Sequence, residues 1–254
     1  MGSLVTHTLF GIEDKVEIAV ERLRTFEPPE GYWLAYSGGK DSQVILGLAN
    51  RAGVRFDAHY QVTTVDAPEL VHFIRREHPE VKFEVPKKTM WQLIREHHMP
   101  PMRMARYCCQ ALKENGGSGR LVVTGIRWQE SVRRKGRRMV ETCMRDTTKT
   151  YLHVIIDWSE ADVWGYIRGN NLPYCSLYDE GWRRIGCVLC PMLTPWMRRR
   201  DAERWPKIAA AYKRAITAIC DPATKNRWTD PERAWAWWLN GRMGDTRDEL
   251  SLFD

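Results

Sequence analysis

The stretch Tyr32-Trp33-Leu34-Ala35-Tyr36-Ser37-Gly38-Gly39-Lys40-Asp41-Ser42 decides the fold of this chain. It begins as a buried strand and runs into a tight Ser-Gly-Gly-Lys-Asp-Ser loop, and the apolar run Val44-Ile45-Leu46-Gly47-Leu48-Ala49 then opens a helix. A strand, a glycine pair and a helix N-terminus in that order make a phosphate cradle. Glycine lets the backbone approach an anion closely, and the N–H groups of the first helical turn point at it. Lys40 adds a full positive charge, and Ser37 and Ser42 add hydroxyl donors. The spacing is not the GxxxxGKS/T loop of the common phosphate-transferring NTPases.

Outward from this loop the chain alternates strand and helix patterns. Ile12, Val16, Ala19, Val20 and Leu23 recur at helical spacing, which predicts a helix over 12–25, closed by Pro28-Pro29. After the helix that runs to Ala52, alternation at Phe56, Ala58, Tyr60 and Val62 predicts a second strand. Helices are expected at Glu69–His78 and Thr89–His97, and strands at Val81–Val85, Leu121–Gly125 and Leu152–Ile156. Ser159 and Asp162 form a variant capping box at the start of a further helix. Such alternation implies βαβ units and a doubly wound, mostly parallel α/β sheet. Ligands of these sheets sit beyond the carboxyl ends of the strands. The phosphate loop, Asp66 and the Gly125-Ile126-Arg127 segment all lie at such ends, so one shared pocket is expected. The last sixty or so residues carry many Arg and Trp and no strand pattern, with helices expected at Ala202–Ile219 and Pro231–Leu239. The expected organisation is a nucleotide-binding α/β domain over 1–192 and a helical extension over 193–254.

The formal charge is +7, with basic runs at Arg133-Arg134-Lys135-Gly136-Arg137-Arg138 and Arg198-Arg199-Arg200. Such runs suit a polyanion such as nucleic acid, although a nucleotide pocket also calls for positive charge. No apolar run reaches membrane-spanning length and no signal-peptide layout opens the chain, which predicts a cytoplasmic protein. Met1-Gly2-Ser3-Leu4-Val5-Thr6 matches an N-myristoylation pattern only formally. Seven cysteines in a cytoplasmic chain argue against structural disulfides. Cys108-Cys109 stand together and Cys187-Val188-Leu189-Cys190 follows far downstream, so two pairs supply four thiolates to one centre. Zinc and a 4Fe-4S cluster both suit such a set, and spacing alone does not separate them.

The loop resembles the pyrophosphate loop of the N-type ATP pyrophosphatases (adenine nucleotide alpha hydrolase-like fold). That superfamily includes ATP sulfurylase small subunits, tRNA thiolation enzymes, DNA phosphorothioation enzymes and the PAPS/APS reductases. The cysteine segments Arg106-Tyr107-Cys108-Cys109-Gln110-Ala111-Leu112-Lys113 and Arg184-Ile185-Gly186-Cys187-Val188-Leu189-Cys190-Pro191 resemble those of its iron–sulfur members, as do Leu172-Pro173-Tyr174 and Leu177-Tyr178-Asp179. Gly125-Ile126-Arg127-Trp128-Gln129-Glu130-Ser131-Val132-Arg133-Arg134 is similar to the G-x-R-x-x-E-S-x-x-R segment of the PAPS-reductase family. The resemblance implies ATP bound by Ser37, Gly38, Gly39, Lys40, Asp41, Ser42, Asp66, Gly125, Arg127, Ser131 and Arg134, with Lys40, Asp41 and Arg127 as the catalytic set. Lys40 suits the β- and γ-phosphates, Asp41 suits Mg2+, and Arg127 suits phosphate or sulfate oxygens, with Glu130 orienting an arginine. Cys108, Cys109, Cys187 and Cys190 would hold the cluster, with Cys108 the ligand most open to replacement and Cys175 a candidate substitute.

Within that superfamily the reductases act on a nucleotide already activated, and their loop usually lacks the Lys-Asp pair that stands here as Lys40-Asp41. They also carry a nucleophilic cysteine near a mobile C-terminus, whereas Arg247-Asp248-Glu249-Leu250-Ser251-Leu252-Phe253-Asp254 has none and the last cysteine is Cys220. The leading expectation is an ATP pyrophosphatase that adenylates a nucleic acid for sulfur transfer, served by a cysteine desulfurase or another sulfur donor. A sulfonucleotide reductase and a non-catalytic ATP-binding iron–sulfur partner subunit are the alternatives. The acceptor and the oligomeric state are left open.

Overall fold

A computed structural model describes residues 4–8, 11–220 and 229–241. The chain divides into two compact units: 1–61, 68–85 and 115–186 make one, and 62–67, 86–114 and 187–254 the other. The first opens with an antiparallel pair, β1 (Val5–Thr8) and β2 (Gly11–Asp14), and α1 (Lys15–Thr25). The helix predicted from residue 12 starts at Lys15, because the Asp14 carboxylate accepts from Val16 N and caps it there. β3 (Tyr32–Ala35), α2 (Lys40–Ala52), β4 (Phe56–Gln61), α3 (Pro68–Glu77) and β5 (Lys82–Glu84) follow as predicted. In the second unit come α4 (Met90–His97) and α5 (Tyr107–Leu112). The first unit resumes with β6 (Leu121–Thr124), α6 (Val132–Lys135), β7 (Val140–Thr142), β8 (Thr150–His153) and α7 (Glu160–Gly169).

The six-stranded sheet has the order β5-β4-β3-β6-β8-β7 and is parallel except for β7, which runs antiparallel to β8 at the edge. β3 pairs with β4 on one side and β6 on the other, so the order reverses at β3 and β6. A doubly wound sheet opens its ligand crevice at that point, and the loops that leave β3 and β6 carry Ser37–Gly39 and Gly125–Arg127. Leu34, Val123 and Leu152 in the central strands and Val44, Ile45 and Leu48 of α2 are fully buried. This apolar packing fixes the loop ends from beneath.

The second unit ends in three helices, α8 (Pro195–Arg204), α9 (Pro206–Thr217) and α10 (Pro231–Asn240). The single helix expected over 202–219 is therefore two. Pro206 has no N–H to continue α8 and serves as the first residue of α9, with Trp205 between them at φ −122°. The strand expected at 152–156 ends at His153 and turns. The unit boundary also differs from the one expected at residue 192. The four cysteines of the two pairs group with the C-terminal helices, because the 187–190 turn is fastened to the 62–67 segment and to α8. Trp238 is buried and its indole N–H donates to Pro101 O at 2.8 Å, so this tryptophan of the extension packs within its own unit. Among the described residues no helix is long and apolar enough to cross a membrane. The N-terminal Met1-Gly2-Ser3 and the tail 247–254 lie outside the described residues.

Candidate functional site

In the first unit, Gly38 has φ +70°, and a Cβ there would stand 2.6 Å from Leu70 Cδ1 and 2.8 Å from Ile74 Cδ1. Only glycine lets the loop turn this tightly over α3. The N-cap of α2 is Gly39, which has no side chain to cap the helix, so the first-turn amides face the loop. Ser42 Oγ donates to Gly39 O at 2.8 Å and Ser37 Oγ to Ser42 Oγ at 3.2 Å, which ties the loop across its base.

Lys40 begins α2 and is only 7% exposed. Its Nζ lies 3.5 Å from Asp41 Oδ2, 3.8 Å from Glu160 Oε1 and 3.5 Å from Arg183 O. Asp41 Oδ1 accepts from Arg127 Nε at 2.6 Å, while Arg127 Nη1 donates to Trp158 O at 3.3 Å and to Gln129 Oε1 at 3.4 Å. Arg127 is 3% exposed, so this ion pair is buried at one end. A Cβ on Gly125 would stand 3.0 Å from Asp41 backbone atoms, so the strand-end glycine lets the two loops touch. Arg134 is half-buried and ion-paired to Glu130. Burial first, then the neighbouring charges of Arg184, Arg137 and Arg127, lower its pKa against the pull of Asp41. Lys40, Arg127 and Arg134 thus gather positive charge near Asp41, with Glu160 and Glu130 paired to two of them. Breaking the buried pair with Arg127→Gln leaves Asp41 with only the longer Lys40 contact. The expected loss is on the order of 3 kcal/mol, read as a lower urea midpoint. Arg127→Lys restores charge without the guanidinium fork and recovers only part of it. An unchanged midpoint in Arg127→Gln contradicts this account.

In the second unit, Cys108 is buried and Cys109 half-buried on α5, whose last carbonyls are closed by Lys113. Arg106 Nη2 approaches Cys109 Sγ at 3.4 Å. The Cys108 thiol and then Arg106 stabilise charge on Cys109 and lower its pKa, whereas sharing that proton, and burial, raise Cys108. Cys187 pairs with Asp66 in an isolated antiparallel bridge, and its thiol donates to Thr63 Oγ1 at 3.5 Å. Val188 N donates to Val65 O at 2.8 Å, and Leu189 N, at φ +57°, donates to the buried Asp201 carboxylate at 2.9 Å. The C-x2-C turn is therefore fastened by backbone hydrogen bonds and by the Asp201 carboxylate of α8. Lys113 is exposed along much of its length, yet its ammonium reaches Cys187, and the charge of Cys187 raises its pKa against desolvation. Fully buried Tyr212 has its phenol pKa raised, first by burial and then by the charges of Cys187, Cys108 and Cys190. Its hydroxyl has no hydrogen-bond partner. Among the described residues no three His, Cys, Asp or Glu side chains are grouped to hold a metal ion. The chemistry nonetheless fits a thiolate-bound cluster. Thiols with a cation at hand are what such a group takes: Arg106 Nη2 stands 3.4 Å from Cys109 Sγ, and the buried Tyr212 hydroxyl of the same unit has no partner.

Residues 31–193 match the phosphoadenosine phosphosulfate reductase domain. The chain belongs to that family. Among similar proteins, an adenosine 5'-phosphosulfate reductase of Oceanobacillus iheyensis is 29% identical over 188 residues, 67% of this chain and 75% of that one. An uncharacterised protein of Methanocaldococcus jannaschii is 25% identical over 217 residues, 80% of this chain but 45% of its relative. A second from the same organism matches over 44% of its length, so the chain spans less than half of these two relatives. The crystal structure of a phosphoadenylyl-sulfate reductase from Candida auris shares the fold at TM-score 0.53 and 19% identity, over 66% of this chain and 87% of that one.

For this member of the PAPS reductase family, the structure brings Ser37, Gly38, Gly39, Lys40, Asp41, Ser42, Gly125, Arg127 and Arg134 into the first unit around one loop. Arg127, expected to face phosphate oxygens, instead spends its Nε on Asp41 and positions it. Ser131, expected at the nucleotide, caps α6 by accepting from Arg134 N at 3.3 Å. Asp66 belongs to the second unit, where its carboxylate accepts from Thr63 N and Thr63 Oγ1, both at 2.7 Å. Cys175, the candidate substitute ligand, is buried and belongs to the first unit, whereas the four cysteines of the two pairs belong to the second. Sequence reading gave no role to Tyr178, whose hydroxyl accepts from Lys40 N at 2.8 Å and stands where an anion would meet the helix. It lay within the quoted Leu177-Tyr178-Asp179, but nothing local tells that this ring reaches α2. Lys113 and Tyr212 were missed in the same way.

Proposed function

We propose that this PAPS-reductase-family protein cleaves ATP between the α- and β-phosphates to adenylate a nucleic acid, and that sulfur then replaces the activated oxygen. The observation that carries the reading is the Asp41 carboxylate held between Arg127 Nε at 2.6 Å and Lys40 Nζ at 3.5 Å at the first turn of α2. Asp41 and Glu160 flank Lys40 and supply the hard oxygen ligands that Mg2+ takes, and Mg2+ there would neutralise departing pyrophosphate. The acceptor oxygen forms a bond to the α-phosphorus and the α–β bridge breaks, with the electron pair leaving on pyrophosphate. Lys40, Arg134 and the α2 amides stabilise the charge that collects on the leaving group. A sulfide nucleophile then forms the bond to the activated centre, and AMP departs with the original oxygen.

Two further features support this reading. Trp128 and Val132 are exposed beside the exposed Arg133, Lys135, Arg137 and Arg138, so a cationic strip with apolar members borders Arg127 and Arg134. Cations bind a sugar-phosphate backbone and rings stack on bases. Cys108, Cys109, Cys187 and Cys190 would hold a 4Fe-4S cluster that, when bound, supplies an iron–sulfur centre for storing or delivering sulfur; zinc is the alternative metal. Incubating the anaerobically purified chain with ATP, Mg2+, a sulfide source and either DNA or tRNA tests the proposal. Pyrophosphate and AMP are expected in equal amounts, stimulated by one of the nucleic acids. No stimulation by either polymer removes nucleic acid as the acceptor. The second reading, sulfonucleotide reduction, is favoured by relatives that bear the name adenosine 5'-phosphosulfate reductase.

A further inference from the structure

The antiparallel edge strand β7 lays Glu141 beside the last residues of β8, where His153 is completely buried. His153 Nε2 lies 3.1 Å from Glu141 Oε1, and its Nδ1 lies 2.6 Å from Oγ1 of Thr124, the last residue of β6. Burial would raise the Glu141 carboxyl, but hydrogen bonds from Arg137 and His153 hold it below the usual carboxylate range. An ionised carboxylate only accepts, so Nε2 carries the ring proton and Nδ1 keeps its lone pair. The Thr124 hydroxyl therefore donates to Nδ1. Burial first lowers the pKa of His153; Glu141 opposes this, and the charges of Arg137 and Arg134 add to it. The ring is thus neutral at neutral pH and able to take a proton. Tyr151 of β8 stacks on it with ring centroids 6.0 Å apart. Thr124 is half-buried, and its oxygen keeps lone pairs after donating to His153. The next residue is Gly125, where a Cβ would stand 3.0 Å from Asp41 backbone atoms. A hydroxyl, an imidazole and a carboxylate in series thus end one residue from the contact with the nucleotide loop, all within the first unit. Backing a hydroxyl with an imidazole that a carboxylate orients turns it into a proton acceptor.

We infer that Thr124 takes the proton of the incoming sulfur nucleophile and relays it to His153, which Glu141 orients. The inference rests on the reading that sulfide attacks an adenylated acceptor. Sulfide in neutral water is largely hydrosulfide, so its S–H proton must leave as sulfur bonds. Sulfur forms its bond to the activated centre, the bond from that centre to the AMP oxygen breaks, and the electron pair departs on AMP. The S–H proton passes to Thr124 Oγ1, the proton of Thr124 passes to His153 Nδ1, and Nε2–H stays on Glu141. Once the products have left, the proton returns through the same hydroxyl to water. Thr124 is the group that meets the sulfur; His153 and Glu141 are positioning residues behind it.

The test gives the full-length chain, purified anaerobically, ATP, Mg2+, radiolabelled sodium sulfide and both DNA and tRNA, and follows label bound covalently to polymer as the pH is varied. The ratio of the unaltered rate to the Thr124→Val rate cancels the protonation of sulfide itself. It is expected to be about 10² at neutral pH. It should fall towards unity as the pH drops through the His153 pKa, below the ordinary imidazole range, because the protonated ring accepts nothing. His153→Asn should behave like Thr124→Val, and Thr124→Ser should recover most of the rate. A network that only ties β6, β7 and β8 together would lower the unfolding midpoint and leave the ratio independent of pH. A ratio near unity, or one that does not change with pH, overturns the inference. A second measurement needs no turnover: ring-nitrogen NMR, assigned by difference from His153→Asn, should show Nδ1 bare and Nε2 protonated at neutral pH. A ring protonated at Nδ1 would donate to Thr124 and also overturns it. An unaltered chain that labels neither polymer overturns the sulfur-transfer reading, and the inference with it.

Discussion

Replacing Lys40 with alanine is expected to lower pyrophosphate release from ATP by about 10²- to 10³-fold, the usual cost of deleting one preorganised charge at a developing oxyanion. Lys40 is held in place before any nucleotide arrives. It is 7% exposed, within 4 Å of Asp41 Oδ2 and Glu160 Oε1, and its ammonium stands 5.8 Å from the Tyr178 ring centroid. An ammonium so confined loses little freedom on meeting a phosphate, so its worth is greatest where charge builds on the leaving pyrophosphate. The loss should therefore fall mainly on kcat. Arginine is a poor substitute, because its planar fork needs room that the Asp41, Glu160 and Arg183 contacts do not leave. A Lys40→Ala protein with undiminished kcat/KM contradicts the assignment. One that loses only ATP binding, in a chain whose unaltered form shows no turnover, indicates a non-catalytic partner subunit.

The second large effect concerns metal. The double variant Cys187→Ser, Cys190→Ser is expected to lose essentially all iron and acid-labile sulfide, since two ligands of four disappear at once. The turn itself should survive. Val188 N–Val65 O and Leu189 N–Asp201 hold it independently of the thiols, so loss of iron would not be a by-product of unfolding. Cys175→Ser serves as the control and should keep the full metal content, because Cys175 is buried in the other unit. Pyrophosphate release from ATP in the presence of the nucleic acid should persist in the double variant, since adenylation precedes sulfur delivery and neither thiol takes part in it. Equal iron in the double variant and the unaltered chain would remove Cys187 and Cys190 from the ligand set.

The phosphate loop was legible because its information is local. Strand, glycine turn and helix lie within residues 32–52, and Gly38 and Gly39 do what backbone geometry requires. The sheet was legible for the same reason, as apolar runs at Leu34, Val123 and Leu152 announce buried strands. Short edge elements were not: β7 has three residues and α5 six, too few for any periodicity to register. The break at Pro206 could have been read from the proline alone, but the helical run on either side masked it. Partners far apart in sequence were the least visible. Nothing local says that Arg127 spends its Nε on Asp41, 86 residues away, or that Tyr178 meets the amide of Lys40, 138 residues away. Asp66 shows the converse. Its position at a strand end suggested the nucleotide, and nothing local announces that its carboxylate closes a turn on Thr63 beside Cys187.

The account turns on which nucleotide bond is broken, and one preparation can decide it. The anaerobically purified chain is offered ATP with Mg2+ and nucleic acid in one vessel, and adenosine or phosphoadenosine phosphosulfate with reduced thioredoxin in another. Pyrophosphate and sulfite are measured in each. Pyrophosphate from ATP, with no sulfite from either sulfonucleotide, is the predicted result. Sulfite from a sulfonucleotide, with no pyrophosphate from ATP, would contradict the proposal and make the chain a reductase.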